Sequence, residues 1–346
     1  MRDARIRLLL VYQDERLASS RIRVLEMAPW LERLGAEVEC RAYPEGPAQW
    51  RALLARAASA DVVLLQKKLP GILAAALLRR LRAPLVFDFD DAIPLRQHPR
   101  GGVFESATRA RRFARVVRAA RAIVAGNEHL AKLCGRPPED VLVCPSAVPT
   151  DVPLRWERPA NALARIGWIG GRGNLDQLEE LAAPLGRLAQ RHELCFVVIS
   201  DERPRAWRAC PLEWIPWSAQ DQGRELARLD IGVMPLADTP WNRGKCAYKL
   251  LQYMATGVAC VVSPVGMNAQ VVEPARNGLL ADTPEAWERA LERLLSDPAL
   301  RDALGRAGRS TVEREFAYPV LAERLLRFLR SVERPAPGPP VRQNRG

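Results

Sequence analysis

Short, continuous apolar runs alternate with amphipathic segments along this chain, and the alternation occurs twice, on either side of a proline-rich break. The first series of runs covers residues 6–12, 38–43, 61–66, 84–88, 122–126 and 141–145. Between them, residues 21–34, 48–58, 71–81 and 106–120 carry helical periodicity. A strand covered on both faces has no polar side to show, so it reads as an unbroken apolar run. Strands of this kind alternating with helices predict a parallel, doubly wound α/β sheet.

The pattern stops at residues 145–159, where Pro145, Pro149, Pro153 and Pro159 leave no helical period. It resumes with runs at 164–169, 194–200, 212–216, 230–235, 258–263 and 278–281, and with helices at 175–190, 223–229, 248–256, 285–296 and 298–308. Pro284 and Pro298 stand in first-turn positions behind Thr283 and Asp297, residue types that cap helix N-termini. A chain of 346 residues divides naturally into two domains. Two doubly wound sheets in tandem leave a crevice at the carboxyl ends of their strands, where open α/β sheets bind ligands. A last apolar stripe, Leu321, Leu325, Leu326, Phe328 and Leu329, marks a helix at 318–332. Residues 334–346, rich in Pro and Arg, are expected to be disordered.

The sequence speaks against several function classes. The N-terminus opens like a signal peptide, but its apolar run ends at Tyr12-Gln13-Asp14-Glu15 with no small-residue cleavage site, so it reads as a first buried strand. No run of 18 apolar residues is present, so no membrane-spanning helix is expected. Seven scattered cysteines without a CxxC spacing, and three histidines (His98, His129, His192), offer neither a disulfide framework nor a metal site. A cytoplasmic protein fits that usage.

The net charge of +12 is lopsided: residues 1–150 hold 25 Lys+Arg against 16 Asp+Glu, and the rest 27 against 24. A polyanionic partner of the first half is one explanation, and general arginine enrichment is another. On a helix, Arg111, Arg115 and Arg118 share a face that suits an anionic membrane, or one that is merely solvated. No nucleic-acid motif accompanies the charge, so no nucleic-acid partner is expected.

The most informative stretch is 230–272. A strand ends at Pro235, a polar loop carries Arg243 and Lys245, and a helix starts near Cys246 and stops at Gly257, a glycine suited to the C′ position. A helix N-terminus offers free backbone N–H groups and partial positive charge, and Lys245 and Lys249 add full charges. That combination suits a diphosphate, although a solvated basic loop would look similar. Gln252 stands about one turn past Lys249, placed for a sugar or ribose hydroxyl. Residues 166–174 read as a strand, a Gly-rich turn and a helix start, in which Gly170 and Gly171 let backbone approach a phosphate and Arg172 neutralises it. A plain strand–helix turn is the alternative. In residues 87–93, Asp90 and Asp91 sit at a strand's carboxyl end, able to orient a hydroxyl or take its proton, or simply to cap a helix or pair with arginines. Arg21, after the first strand, faces the crevice if the fold is right.

Residues 230–257, with 263–272 and Asn277-Gly278-Leu279-Leu280, resemble the donor-binding signature of family 4 glycosyltransferases of the GT-B fold. Ile166-Gly167-Trp168-Ile169-Gly170, residues 87–93 and Val124-Ala125-Gly126-Asn127-Glu128 resemble fragments of the same family. The resemblance implies two Rossmann-like domains facing each other across a cleft, with the last helix crossing back to the first domain. It divides the chain into an acceptor domain (1–150), a linker (151–162), a nucleotide-sugar domain (163–317), the crossing helix (318–333) and the tail (334–346).

It further implies retaining transfer from a nucleotide-diphosphate sugar to a glycan or lipid-linked acceptor, in bacterial surface polysaccharide or glycolipid synthesis, without a cofactor or an essential metal. Gly170, Gly171, Arg172, Lys245, Lys249, Gln252, Met267, Asn268 and Ala269 would hold the donor. Arg21 and Asn127 would touch the acceptor, and Asp90 and Asp91 would be catalytic. The sequence departs from the family where a Glu-x7-Glu pair is common: it has Gly244 and Gln252 there. The first-domain loop also lacks the family's glycines, having Ser19-Ser20. A nucleotide- or glycan-binding protein without turnover, and a nucleotide-sugar epimerase, are the rival readings; the scarcity of histidine speaks against the second.

Overall fold

The computed structural model describes residues 5–97, 103–156, 163–205 and 207–333. His98, residues 157–162 of the expected linker and the tail from 334 lie outside them.

The first domain is built on β1 (Arg7–Tyr12), β2 (Glu37–Ala42), β3 (Val62–Gln66) and β4 (Leu85–Phe89). A small antiparallel pair, β5 (Leu95–Gln97) and β6 (Val103–Glu105), follows, then β7 (Ala122–Ala125) and β8 (Val141–Val143). Its sheet is parallel, ordered β2-β1-β3-β4-β7-β8. The second domain contains β9 (Ala164–Ile169), β10 (Leu194–Ser200), β11 (Leu212–Pro216), β12 (Ile231–Met234), β13 (Ala259–Val262) and β14 (Leu279–Leu280). Its sheet is also parallel, ordered β11-β10-β9-β12-β13-β14. The continuous apolar runs are the central strands, and β3, β4, β10, β12 and β13 are buried along their whole length. The β5–β6 pair has no counterpart in the apolar pattern.

The strand orders reverse between β1 and β3 in one sheet and between β9 and β12 in the other. The crevice at each reversal is where this class of sheet takes its ligand.

Two expected helices are interrupted. Residues 21–34 form a π-helical turn, Arg21–Leu25, and then a separate helix, Ala28–Arg33, with Pro29 in its first turn. Proline brings no N–H to the ladder and cannot sit in the middle of a continuous helix. The π turn sends Arg23 inward. Its Nε donates to Asp88 Oδ2 at 2.8 Å and its Nη1 to Cys144 O at 3.1 Å and Ser146 Oγ at 3.3 Å. This buried network ties β4 to the segment after β8. Residues 172–190 begin as a 3-10 stretch, Arg172–Leu181, before the α-helix Ala182–Leu188. Thr283 and Asp297 cap the helices Pro284–Ser296 and Pro298–Glu315 as expected, accepting from Ala286 N and Leu300 N.

The helix Tyr318–Val332 crosses to the first domain. Tyr318, Leu321, Ala322, Leu325, Leu326 and Leu329 join a core cluster whose other buried members are drawn from residues 6–147, among them Leu8, Leu10, Val24 and Leu31. Tyr318 lies parallel to Trp30 with ring centroids 6.4 Å apart, and its Oη reaches Ile22 O (3.2 Å) and Glu26 Oε2 (2.5 Å). Val148 and Ala317 pair as a parallel bridge beside it.

Candidate active site

The helix Tyr248–Ala255 starts in the interdomain cleft without a side-chain cap, since the residue before it is Ala247. Its first-turn N–H groups and the positive end of its dipole therefore face the cleft. Ala247 has φ +53°, and Lys67, at the carboxyl end of β3, has φ +55°. A non-glycine residue in the left-handed region costs backbone energy, and here two of them lie at the site.

A cavity of about 340 Å³ opens at this helix end. The first domain lines it with Leu17, Ala18, Ser19, Ile22, Lys67, Asp90, Asp91 and Ser146; the second contributes Met234, Lys245, Cys246, Tyr248 and Lys249. Three lysines and two aspartates thus converge from both domains.

Each lysine is positioned by its surroundings. Lys245 Nζ donates to Asn174 Oδ1 at 3.0 Å. Lys249 Nζ lies 4.9 Å from the ring centroid of buried Trp168, over its face. Gly170 makes that placement possible: a Cβ there would stand 2.5 Å from Trp168 Cη2 and 2.7 Å from Lys249 Cε. Burial, aided by Lys245, pushes the Lys249 ammonium down to about 7, and burial also lowers Lys245. Among the described residues neither ammonium forms an ion pair with a carboxylate, although Asp91 and Asp176 act on Lys245 from a distance, and both sit beside a helix end, so an anion would relieve all three at once.

Lys67 behaves in the opposite way. Its ammonium pairs with Asp90 Oδ1 at 2.9 Å and with Asp91, and these carboxylates outweigh burial and raise it. Burial pushes the Asp90 carboxyl up, but Lys67 and Arg23 outweigh that and hold it below its ordinary value.

Around this cavity the domains are joined closely. Asn127 caps the helix Glu128–Leu133 by accepting from Leu130 N, and its amide donates to Arg243 O (3.1 Å) and Lys245 O (3.0 Å) of the other domain. Cys246 Sγ lies 3.2 Å from Asp90 O. At Gly244 a Cβ would stand 2.9 Å from both Ala92 Cβ and Ala92 N, and 3.1 Å from Leu130 Cδ2. The position where the resembled family often has its first glutamate is therefore sealed against the first domain.

The structure brings Asp90, Asp91, Lys245 and Lys249 into one cavity and sets other expected residues elsewhere. Gln252 is turned away from Lys249's side of the helix end, and its Nε2 donates to Gln222 Oε1 at 3.1 Å on the helix Gln222–Ala227. Asn127 faces the domain seam, where each of its polar atoms has a backbone partner. Arg21 pairs with Glu26 at 2.7 Å and lies 6.0 Å from the Trp217 ring of the other domain. Gly171 and Arg172 are exposed and do not line the cavity; Asp201 Oδ1 accepts from Arg172 N at 2.6 Å. Met267 and Asn268 are buried in the second domain, Asn268 Nδ2 donating to Ser263 O, and Ala269 is exposed. Arg111 and Arg118 are exposed on the helix Ala107–Ala119, while Arg115 is partly buried, with Nη1 3.4 Å from Pro70 O.

Lys67 and Asn174 were missed as site residues. The signal for Lys67 was its place at the carboxyl end of the third run, beside the strand-order reversal. Among the described residues, no group of three His, Cys, Asp or Glu is placed to hold a metal, and no helix is long and apolar enough to cross a membrane.

Residues 164–297 match the family described as Glycosyl transferases group 1. A curated relative from Corynebacterium glutamicum, a GDP-mannose-dependent monoacylated alpha-(1-6)-phosphatidylinositol monomannoside mannosyltransferase, is 34% identical over 124 residues; these are 33% of this chain and 31% of that protein. The matched segment thus spans about a third of that relative's length. Among solved structures, sucrose-phosphate synthase from Thermosynechococcus elongatus superposes with a TM-score of 0.71 at 14% identity, over 95% of this chain and 99% of that one. Anabaena HepE in complex with UDP and glucose superposes with a TM-score of 0.69 at 14% identity, over 94% and 100%. The fold is GT-B.

Proposed function

We propose that this GT-B chain is a glycosyltransferase that moves a sugar, with retention, from a nucleotide-diphosphate donor to a glycan or lipid-linked acceptor of a bacterial surface polysaccharide or glycolipid. The observation that carries this reading is the cationic end of the helix Tyr248–Ala255, where Lys245 and Lys249 form no ion pair among the described residues and face Asp90 and Asp91 across the cleft. A diphosphate placed there would neutralise the lysines and accept the N–H groups of the first turn. As the bond between the sugar and the diphosphate breaks, negative charge grows on the leaving phosphate, where these groups already point. Asp90 or Asp91 would orient the incoming acceptor hydroxyl or take its proton. Because lysines and a helix end supply the countercharge, transfer is expected to persist in chelator.

The test is a panel of UDP- and GDP-sugars, since the proteins it resembles differ in their named nucleotide. A ligand at 100 times its Kd stabilises by about 2.7 kcal/mol, visible as a raised melting temperature. Transfer to lipid or glycan extracts then reports activity, and retention is read from the product's anomeric configuration. Absence of both binding and transfer across the panel would sink the proposal.

A second reading has one observation in its favour: Gly244 and Gln252 offer no carboxylates to the donor sugar, and Gly244 is closed off by Ala92. Tight nucleotide binding with no transfer to any extract would make the chain a binding protein instead.

A further inference from the structure

Away from the cleft, the first domain carries a groove of about 910 Å³ between the helices Pro47–Ala57, Ile72–Leu78 and Ala107–Ala119. Trp50, Leu54, Leu77, Ile72 and Leu73 give it an apolar floor and lip. Ile72 and Leu73 are 72% and 82% exposed, more than any other large hydrophobic residue described. Arg51, Arg111, Arg112 and Arg115 stand around them, against a single acid, Glu45. Arg115 is fixed just ahead of the helix start by its contact with Pro70 O. An apolar protrusion ringed by cations is the chemistry of a site that enters the acyl boundary of a bilayer while meeting lipid phosphates.

We propose that this groove is where the protein lies on an anionic lipid bilayer, with Ile72 and Leu73 inserted and the four arginines at headgroup level. Charge favours this occupant over the others. The chain's own tail beyond residue 333 carries Arg334, Arg342 and Arg345 and no acid, so it would be repelled. A second copy docked groove to groove would set arginine against arginine. A nucleic acid would satisfy the arginines and leave Ile72 and Leu73 in water. The placement also suits an acceptor held at a surface: a second, polar cavity of about 730 Å³, lined by Tyr12, Arg41 and Tyr43 at the carboxyl ends of β1 and β2, adjoins the groove and shares Glu45 with it. The bilayer contact lies outside the nucleotide cleft, so it stands or falls separately from the proposed transfer.

The experiment is co-sedimentation of the full chain with vesicles of phosphatidylcholine alone or mixed with phosphatidylglycerol, at low and high salt. Binding to the anionic vesicles only, weakened by salt, is expected. Ile72→Asp with Leu73→Asp should lower partitioning by about tenfold or more. Arg111→Ala and Arg112→Ala should each lower it about fivefold. All four changes lie at exposed positions, so melting temperature and nucleotide binding should be unchanged. No binding to anionic vesicles, or equal binding by both sets of variants, would overturn the proposal. So would a concentration-dependent dimer that Ile72→Asp dissolves, because the face would then be an interface between copies.

Discussion

Binding of a nucleoside diphosphate in the cleft is expected to draw a proton onto Lys249. In the empty cleft its ammonium is pushed down to about 7 by burial and by Lys245, from an ordinary 10.5. At pH 8 only about one-tenth of these side chains would then be protonated. A diphosphate at the helix end reverses both causes and returns the group toward its ordinary range, so about 0.9 proton should be taken up per ligand at pH 8, and about half a proton at pH 7. Affinity should therefore fall by up to about tenfold per pH unit above 7.

The same shift works against the empty fold. A lysine whose folded value lies below its unfolded value costs nothing above about 10.5, and its penalty grows as pH falls toward 7. Lys249→Met should thus raise the melting temperature of the unliganded protein at pH 8. Calorimetric titration with UDP or GDP in buffers of different ionisation enthalpy measures the uptake directly. Lys249→Ala should reduce it and weaken binding about 10- to 100-fold, in line with about 1.5–3 kcal/mol for a charge-assisted contact. Tight binding with no proton uptake at pH 8, or uptake unchanged in Lys249→Ala, would refute the reasoning.

Three other outcomes are expected. Removing Lys67 in Lys67→Ala should let burial raise the Asp90 carboxyl, moving the acid limb of the pH–rate profile to higher pH, with Lys67→Arg restoring part of the shift; an unmoved limb would show that Lys67 is only structural. Gly244→Ala places a methyl 2.9 Å from Ala92, so it should cost about 1–3 kcal/mol and widen the cleft, seen as a lower melting temperature and a larger radius of gyration in solution scattering. Leu321→Ala, 1% exposed in the crossing helix, should cost about 2–5 kcal/mol in denaturant unfolding, and a cost near zero would mean that the helix is not anchored there.

The two-sheet architecture was legible because buried parallel strands leave an unmistakable apolar signature, as at Val62–Gln66 and Leu194–Ser200. The crossing of the last helix followed from the resemblance, and its stripe of leucines marked the face that packs. What was not legible depends on side-chain direction and on contacts between distant segments. Gln252 shares a helix with Lys249, yet it turns toward Gln222, because spacing along one helix does not fix which neighbour a long side chain meets. Asn127 read as a cleft residue; only the assembled domains reveal that Arg243 and Lys245 present carbonyls to it. Lys67 was invisible to motif reading because its partners, Asp90 and Asp91, lie on a different strand end. Pro29, plain in the sequence, should have split the helix expected at 21–34.

The crossing helix has a consequence for how the chain is made. The first domain's core is completed by Leu321, Ala322, Leu325, Leu326 and Leu329, which leave a ribosome only after every strand of both sheets. Domains usually fold in order of synthesis, N-terminal first. Here the second domain has all of its strands available while the first still shows an uncovered apolar face around Leu8, Val24 and Leu31. Nascent chains stalled before residue 318 should therefore hold a protease-resistant second domain and a chaperone-binding first one, and release of the crossing helix should be the step that closes the first domain's core.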